Sequence, residues 1–176
     1  MLLINKGYKY LIEPHLKYKP IVKLDDIDIK RVREFSEIIV KAKQLEAQYE
    51  IDGLSIQKRF FGGICSEVAI EKYLGIQFVD YTIGGSRNYN VPDMEKAGIR
   101  GGVKSTEQGK FPIVYRKNYY PQAMVVKLPN HKYKIAGVGK PKVLDRYQSD
   151  LFVLDKNILK KQTKSAFFGF GSLETL

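Results

Sequence analysis

The longest regular spacing of apolar positions lies in "DDIDIKRVREFSEIIVKAKQLEAQYEID", where Val32, Phe35, Ile38, Ile39, Ala42 and Leu45 recur at intervals of three and four. That spacing gathers them on one helical face, and the acids at the front of the run suit the positive end of a helix dipole. Gly53 ends the run. A second helix is predicted from an N-cap at Ser55 through "IQKRFFGGICSEVAIEKYL" to a stop at Gly75. Gly62 and Gly63 lie inside it at a cost of about 1 kcal/mol each relative to Ala, so something needs a bare backbone there. Ahead of both helices, residues 1–24 show no clean period and predict an extended arm or a short hairpin.

Beyond Gly75 the pattern changes to strands. "IQFVDYTI" is rich in β-formers and closes at "GGSRN", "YNVPD" reads as a short strand end, and "GIRGGVKST" as a strand whose glycines admit a close neighbour. "PQAMVVKL", the turn "PNHK" and "YKIAGVGKP" make a hairpin, "DLFVLD" one more strand, and the aromatic tail "SAFFGFGSLETL" has no period. Helices followed by closely spaced strands predict an α/β or α+β domain on one mixed sheet. The length of 176 residues suits a single domain, with an N-terminal arm and helix over 1–53, a core over 54–160 and a tail over 161–176.

Composition excludes several classes. No apolar run reaches the length of a membrane span, and the opening "MLLINKGYKY" lacks the apolar centre of a secretory signal. One cysteine, Cys65, and two histidines leave neither a disulfide nor a zinc set, so a reducing, cytoplasmic setting is expected. The net charge of +11 is unevenly placed: residues 101–164 hold 14 Lys and Arg against 4 Asp and Glu, and the rest hold 16 against 15. Such a concentration points to a polyanion partner, with solvated lysines on strands and turns as the plain alternative. Tyr115, Arg116, Lys117, Tyr119 and Tyr120 put rings among cations, as a nucleic-acid surface does and as an ordinary basic loop also does.

The candidate chemistry lies in "VPDMEKAGIRGGVKST". Together with "GGICSEVAIEKYLG" before it and "YKIAGVGKPKVL" after it, this stretch resembles the PD-(D/E)xK nuclease superfamily, the restriction-endonuclease-like and Holliday-resolvase-like group, over roughly residues 60–145. The resemblance implies a restriction-endonuclease-like core: a central mixed sheet flanked by helices, with an N-terminal helical segment. It implies a Mg²⁺-dependent nuclease, with Mn²⁺ as a substitute, that hydrolyses phosphodiester bonds of DNA, and a homodimer by analogy of fold. In that reading Asp93 is a metal ligand, Glu67 reaches from its helix to the metal or its water, and the carbonyl of Val103 adds a further oxygen. Lys104 orients the attacking water and steadies the phosphate, and Arg116, Lys117, Tyr119, Lys140 and Lys142 hold nucleic acid. Hard oxygen ligands with few carboxylates are what Mg²⁺ takes, and the metal polarises the phosphoryl group. A phage or mobile element would suit so small and basic a chain.

Gly102 departs from the pattern, because the motif has Asp or Glu two residues before the lysine. The carboxylate is then relocated, with Glu67 preferred over Glu95 and Glu107, or the site is silent and the chain binds nucleic acid or a protein partner. Plain readings stand beside each residue: Asp93 after Pro92 as a turn residue, Lys104 as a solvated strand lysine, Glu67 as a surface helix acid. Cys65 reads as a small core residue and His131 as part of a turn. An RNA-binding module without nuclease ancestry fits the charge alone.

Overall fold

The computed structural model describes residues 2–42, 56–82 and 92–176. Helices α1 (Leu2–Leu11) and α2 (Glu13–Leu16) precede strand β1 (Ile21–Lys23), and helices α3 (Asp26–Ala42) and α4 (Ile56–Leu74) follow it. Then come β2 (Gly102–Glu107), β3 (Ile113–Tyr115), β4 (Gln122–Leu128) and β5 (Lys132–Gly139). Helix α5 (Pro141–Arg146), β6 (Gln148–Ser149), α6 (Lys156–Lys161) and β7 (Lys164–Phe167) complete the chain. The main sheet is mixed, in the order β1-β5-β4-β2, with β2 parallel to β4 and the other pairs antiparallel. A smaller antiparallel sheet has the order β3-β7-β6.

The main sheet is covered on both faces. On one, Val32, Phe35 and Ile39 of α3 and Ile64, Cys65, Val68 and Ala69 of α4 pack with Ala123, Val125 and Ile135. On the other, Met124, Val126 and Ala136 pack with Ile4 and Tyr8 of α1, with Ile12 between α1 and α2, and with Val114, Ala166 and Phe167 of the small sheet. Burial on both faces explains why β4 reads as an unbroken apolar run rather than an alternation. Among the described residues no helix is long and apolar enough to cross a membrane.

Helix α3 begins as its acids predict. The amide of Asp28 donates to the Asp25 carboxylate at 2.9 Å and that of Asp25 donates back to Asp28 at 3.2 Å, a reciprocal cap. Lys72, near the end of α4, binds Asp28 at 2.7 Å and Asp25 at 3.0 Å, tying the two helices together. The buried stripe is narrower than predicted. Ile29, Val32, Phe35, Ser36 and Ile39 fill it, while Ile38 and Ala42 are exposed. Ile38 lies 100° round the helix from Ile39, and Ser36 keeps its place on the stripe by donating to the carbonyl of Arg33. Helix α4 stops at Gly75, whose amide donates to the Glu71 carbonyl at 2.8 Å with φ at +68°.

Three expectations are corrected. Residues 2–24 form two helices and a short strand, because Ile4, Tyr8 and Ile12 share one face that the lysines and tyrosines between them obscure. Pro14 sits in the first turn of α2, where a missing amide costs nothing. Residues 76–82 of "IQFVDYTI" form no strand, since the amides of Phe78 and Val79 both donate to the Glu71 carboxylate at 2.5 Å. "DLFVLD" is a 3₁₀ turn over Asp150–Phe152 rather than a strand, started by the Ser149 hydroxyl accepting from the Leu151 amide and followed by the Asp155 cap of α6. The β4–β5 hairpin forms as predicted, with Asn130 and His131 in the left-handed region at its turn. The tail supplies β7, and Glu174 bridges to Val138 of β5. Leu45, Gly53, Ser55, "GGSRN" and the start of "YNVPD" lie outside the described residues.

Candidate active site at the free edge of the sheet

Strand β2 is the edge of the main sheet. The amide of Gly102 donates inward to Pro121 at 3.0 Å, so the next amide along the strand, that of Val103, faces outward. There the Asp93 carboxylate accepts it at 2.6 Å. A strand residue turns its N–H and C=O the same way, which places the Val103 carbonyl at this free edge too. Asp93 is thus in a turn beside β2. Met94 fixes that turn: its side chain is fully buried in the α3–α4 core and its amide donates to the Gly101 carbonyl at 3.0 Å.

Glu67 reaches toward Asp93 from the middle of α4. It is half-buried, and its pKa is pushed up to about 8, first by burial, then by the charges of Asp93 and Glu71; Lys104 pulls the other way. Asp93, exposed as a residue but with its carboxylate turned in against Val103, is also raised, by burial that the Val103 amide and Lys104 partly offset. Two carboxylates in one another's field cannot both ionise freely, so the pair retains a proton near neutral pH. Lys104 projects from the face of β2 opposite Val103, and its charge still acts on both acids.

Gly102 has a structural reason. A Cβ there would lie 2.5 Å from the amide oxygen of Gln122 and 3.2 Å from an Asp93 carboxylate oxygen. Gln122 is the residue registered against Gly102 across the parallel pair. The head of the Gln122 side chain therefore fills the space in which a residue-102 side chain would begin, next to Asp93. A primary amide can turn either a carbonyl oxygen or an NH₂ group toward that point. Glu95 heads an exposed 3₁₀ turn and Glu107 pairs with Lys110 at 2.6 Å, so neither joins the acid pair. Among the described residues no three Asp, Glu, His or Cys side chains gather as a metal cluster. An oxygen set here consists of Glu67, Asp93, the Gln122 amide and the Val103 carbonyl.

Gly62 has a local cause as well, and what needs the bare backbone there is a side chain of β4. Its Cα faces the Lys127 side chain, whose ammonium would be 2.9 Å from an added Cβ. A groove of about 550 Å³ lined by Lys58, Phe61, Lys127 and Tyr133 opens there, and neither acid lines it.

The five predicted nucleic-acid residues are all exposed, but two are engaged in ion pairs: Arg116 with Asp150 at 2.6 Å and Lys140 with Glu174 at 2.8 Å. Lys117 lies over the ring of Tyr119, and Lys142 is on α5. The cations that gather near Lys104 are others. Lys164 of β7, registered against Tyr115 of β3, has its ammonium 4.7 Å from the Tyr115 ring centre, and Lys104 lies 5.8 Å from the same centre. Burial, then the charges of Lys104, Arg59 and Lys161, lower the pKa of Lys164. Sequence reasoning missed Gln122 and Lys164, because both are placed by strand register across intervening segments.

Comparison with family models, curated proteins and solved structures finds no match to this chain.

Proposed function

We propose that the chain is a metal-dependent nuclease of the PD-(D/E)xK kind, with a restriction-endonuclease-like core, acting on phosphodiester bonds of DNA. The observation that carries this reading is the pairing of Glu67 with Asp93 at the edge of β2, where burial raises both acids, the Asp93 charge raises Glu67 further, and Lys104 is the cation acting on both. Two such acids favour an added divalent cation, and the neighbouring Gln122 oxygen and Val103 carbonyl are hard donors of the type Mg²⁺ and Mn²⁺ take. A bound divalent cation would supply Lewis-acid charge at the phosphoryl oxygen.

The chain's own residues do the rest. The turn anchored by Met94 fixes Asp93, and the Val103 amide holds one of its oxygens. Glu67 holds a proton near neutral pH in the free chain and gives it up when positive charge arrives beside it. The Lys104 ammonium is placed to bind a phosphate oxygen and to steady the charge that develops as water bonds to phosphorus. The P–O ester bond then breaks, and the water's proton passes to the leaving alkoxide.

A second reading has its own observation. The group beside Asp93, where the motif has a carboxylate, is the neutral amide of Gln122, which weakens the charge available to a cation. On that reading the chain binds nucleic acid or a protein partner without cutting. Incubation with supercoiled plasmid in Mn²⁺ separates the two. The nuclease reading expects nicking by the parent chain and none by Lys104→Ala or Asp93→Asn. Intact plasmid, or equal nicking by all three proteins, overturns it.

A further inference from the structure

Tyr115 stands out among the aromatic residues that the catalytic reading does not use. Its ring is 49% exposed, and the ammonium groups of Lys164 and Lys104 lie 4.7 Å and 5.8 Å from its centre. The backbone beneath it is held fast. The Tyr115 carbonyl accepts from the Asn118 amide group at 2.7 Å and from the Gln148 amide group at 2.8 Å. Asn118 is buried and is itself bound to the Asp145 carboxylate at 2.8 Å. A ring on so fixed a base loses little conformational freedom when something stacks on it.

Among the described residues, the charges that act on Lys164 of β7 are those of Lys104 from β2, Arg59 from α4 and Lys161 from the end of α6, all cations. Lys104 and Lys164 are both half-buried and repel one another, and an anion between them turns that repulsion into attraction.

We infer that the exposed ring of Tyr115 and the ammonium groups of Lys104 and Lys164 form a binding site for one nucleotide of a single-stranded nucleic acid, with its phosphate on the lysines and its base against the ring. The phosphate is the anion that matches convergent ammonium groups, and the aromatic ring beside them matches a base. A base inside a duplex already has both faces stacked, so an unpaired strand or a frayed end is the form that fits. Lys104 belongs to both this site and the acid pair, so a strand held here continues toward Asp93. That direction rests on the nuclease reading; the binding itself does not.

The chain contains no tryptophan, so Tyr115→Trp introduces a single fluorescent reporter at the ring itself. The experiment is a titration of this variant with oligothymidylate of about twelve nucleotides, a length within the usual span of single-strand sites, in EDTA so that no cutting intervenes. Duplex of the same length and inorganic phosphate serve as the other probes. The expected result is saturable quenching by the single strand, with about tenfold weaker binding of the duplex and displacement by phosphate only in large excess. Adding Lys164→Gln should weaken single-strand binding about tenfold and reduce the slope of log affinity against log salt by about 0.7, the value for one lost phosphate contact. Lys164→Arg should restore both, which separates loss of charge from loss of fold, and Lys104→Gln should behave as Lys164→Gln does.

Unchanged emission from the introduced tryptophan while a labelled strand binds would overturn the proposal, as would equal quenching by duplex or a Lys164→Gln affinity equal to that of the Tyr115→Trp parent. Absence of any strand binding would overturn it too. Because the titration contains no metal, its outcome is separate from that of the cleavage assay. A chain that binds here but never cuts keeps this site and loses the nuclease reading.

Discussion

Replacing Glu67 with Gln tests the acid pair without any metal. In the folded chain Glu67 has its pKa raised from 4.5 to about 8. Between those values the unfolded chain has released the proton and the folded chain still holds it, so folded protein binds more protons and stability falls as pH rises. Its contribution is fully present below about pH 4.5 and is lost as pH climbs through about 8. The slope is about 1.4 kcal/mol per pH unit, and over the whole window the loss is on the order of 5 kcal/mol. That is a large share of the roughly 5–15 kcal/mol that stabilises a domain. Gln is close to isosteric with the protonated acid and does not ionise. Glu67→Gln should therefore match the parent near pH 5 and exceed it increasingly toward pH 9. Urea denaturation followed by circular dichroism at pH 5, 7 and 9 in EDTA reads this directly. If the two proteins keep a constant stability difference across that range, Glu67 is an ordinary solvated acid and the pair is not a unit.

Three further outcomes follow from the same geometry. Gln122→Glu places a third carboxylate beside Asp93, so in EDTA its unfolding free energy at pH 8 should drop by about 1–2 kcal/mol, while calorimetry shows Mn²⁺ bound about tenfold more tightly than by the parent. Gly102→Glu alone should cost about 1–3 kcal/mol by crowding against Gln122, and Gln122→Ala in the same chain should recover part of that, a coupling that a double-mutant cycle in urea measures. Arg116→Ala should change the salt slope of nucleic-acid binding less than Lys164→Gln does, because Arg116 is already paired with Asp150, and fluorescence anisotropy against salt compares them.

The parts of the fold legible in the sequence are those in which local pattern and burial agree. The α3 stripe, the Gly75 stop and the β4–β5 hairpin follow from apolar period, glycine conformation and turn chemistry within a few residues. The failures share a cause. Residues 76–82 have strand composition, yet a single carboxylate from the preceding helix takes the amides of Phe78 and Val79. Helix α1 looked irregular because much of its surface is Lys and Tyr, and only its contact with the small sheet shows which residues are inside. The candidate site divides in the same way. Glu67, Asp93 and Lys104 are visible as residue types at suggestive spacings. Gln122 is not, since its approach to Gly102 depends on parallel register between strands separated by β3 and its loops.

The central claim is that Glu67 and Asp93 form one place for a divalent cation. Titration calorimetry with Mn²⁺ at pH 7, in two buffers of different ionisation enthalpy, tests it most directly. Glu67 holds a proton at that pH, so saturable binding should release close to one proton per cation, seen as a buffer-dependent heat. Glu67→Gln should abolish the proton release, and Asp93→Asn should weaken binding severely. A parent chain that binds no Mn²⁺ at millimolar concentration, or binds it with a heat independent of buffer and of Glu67, would contradict the account.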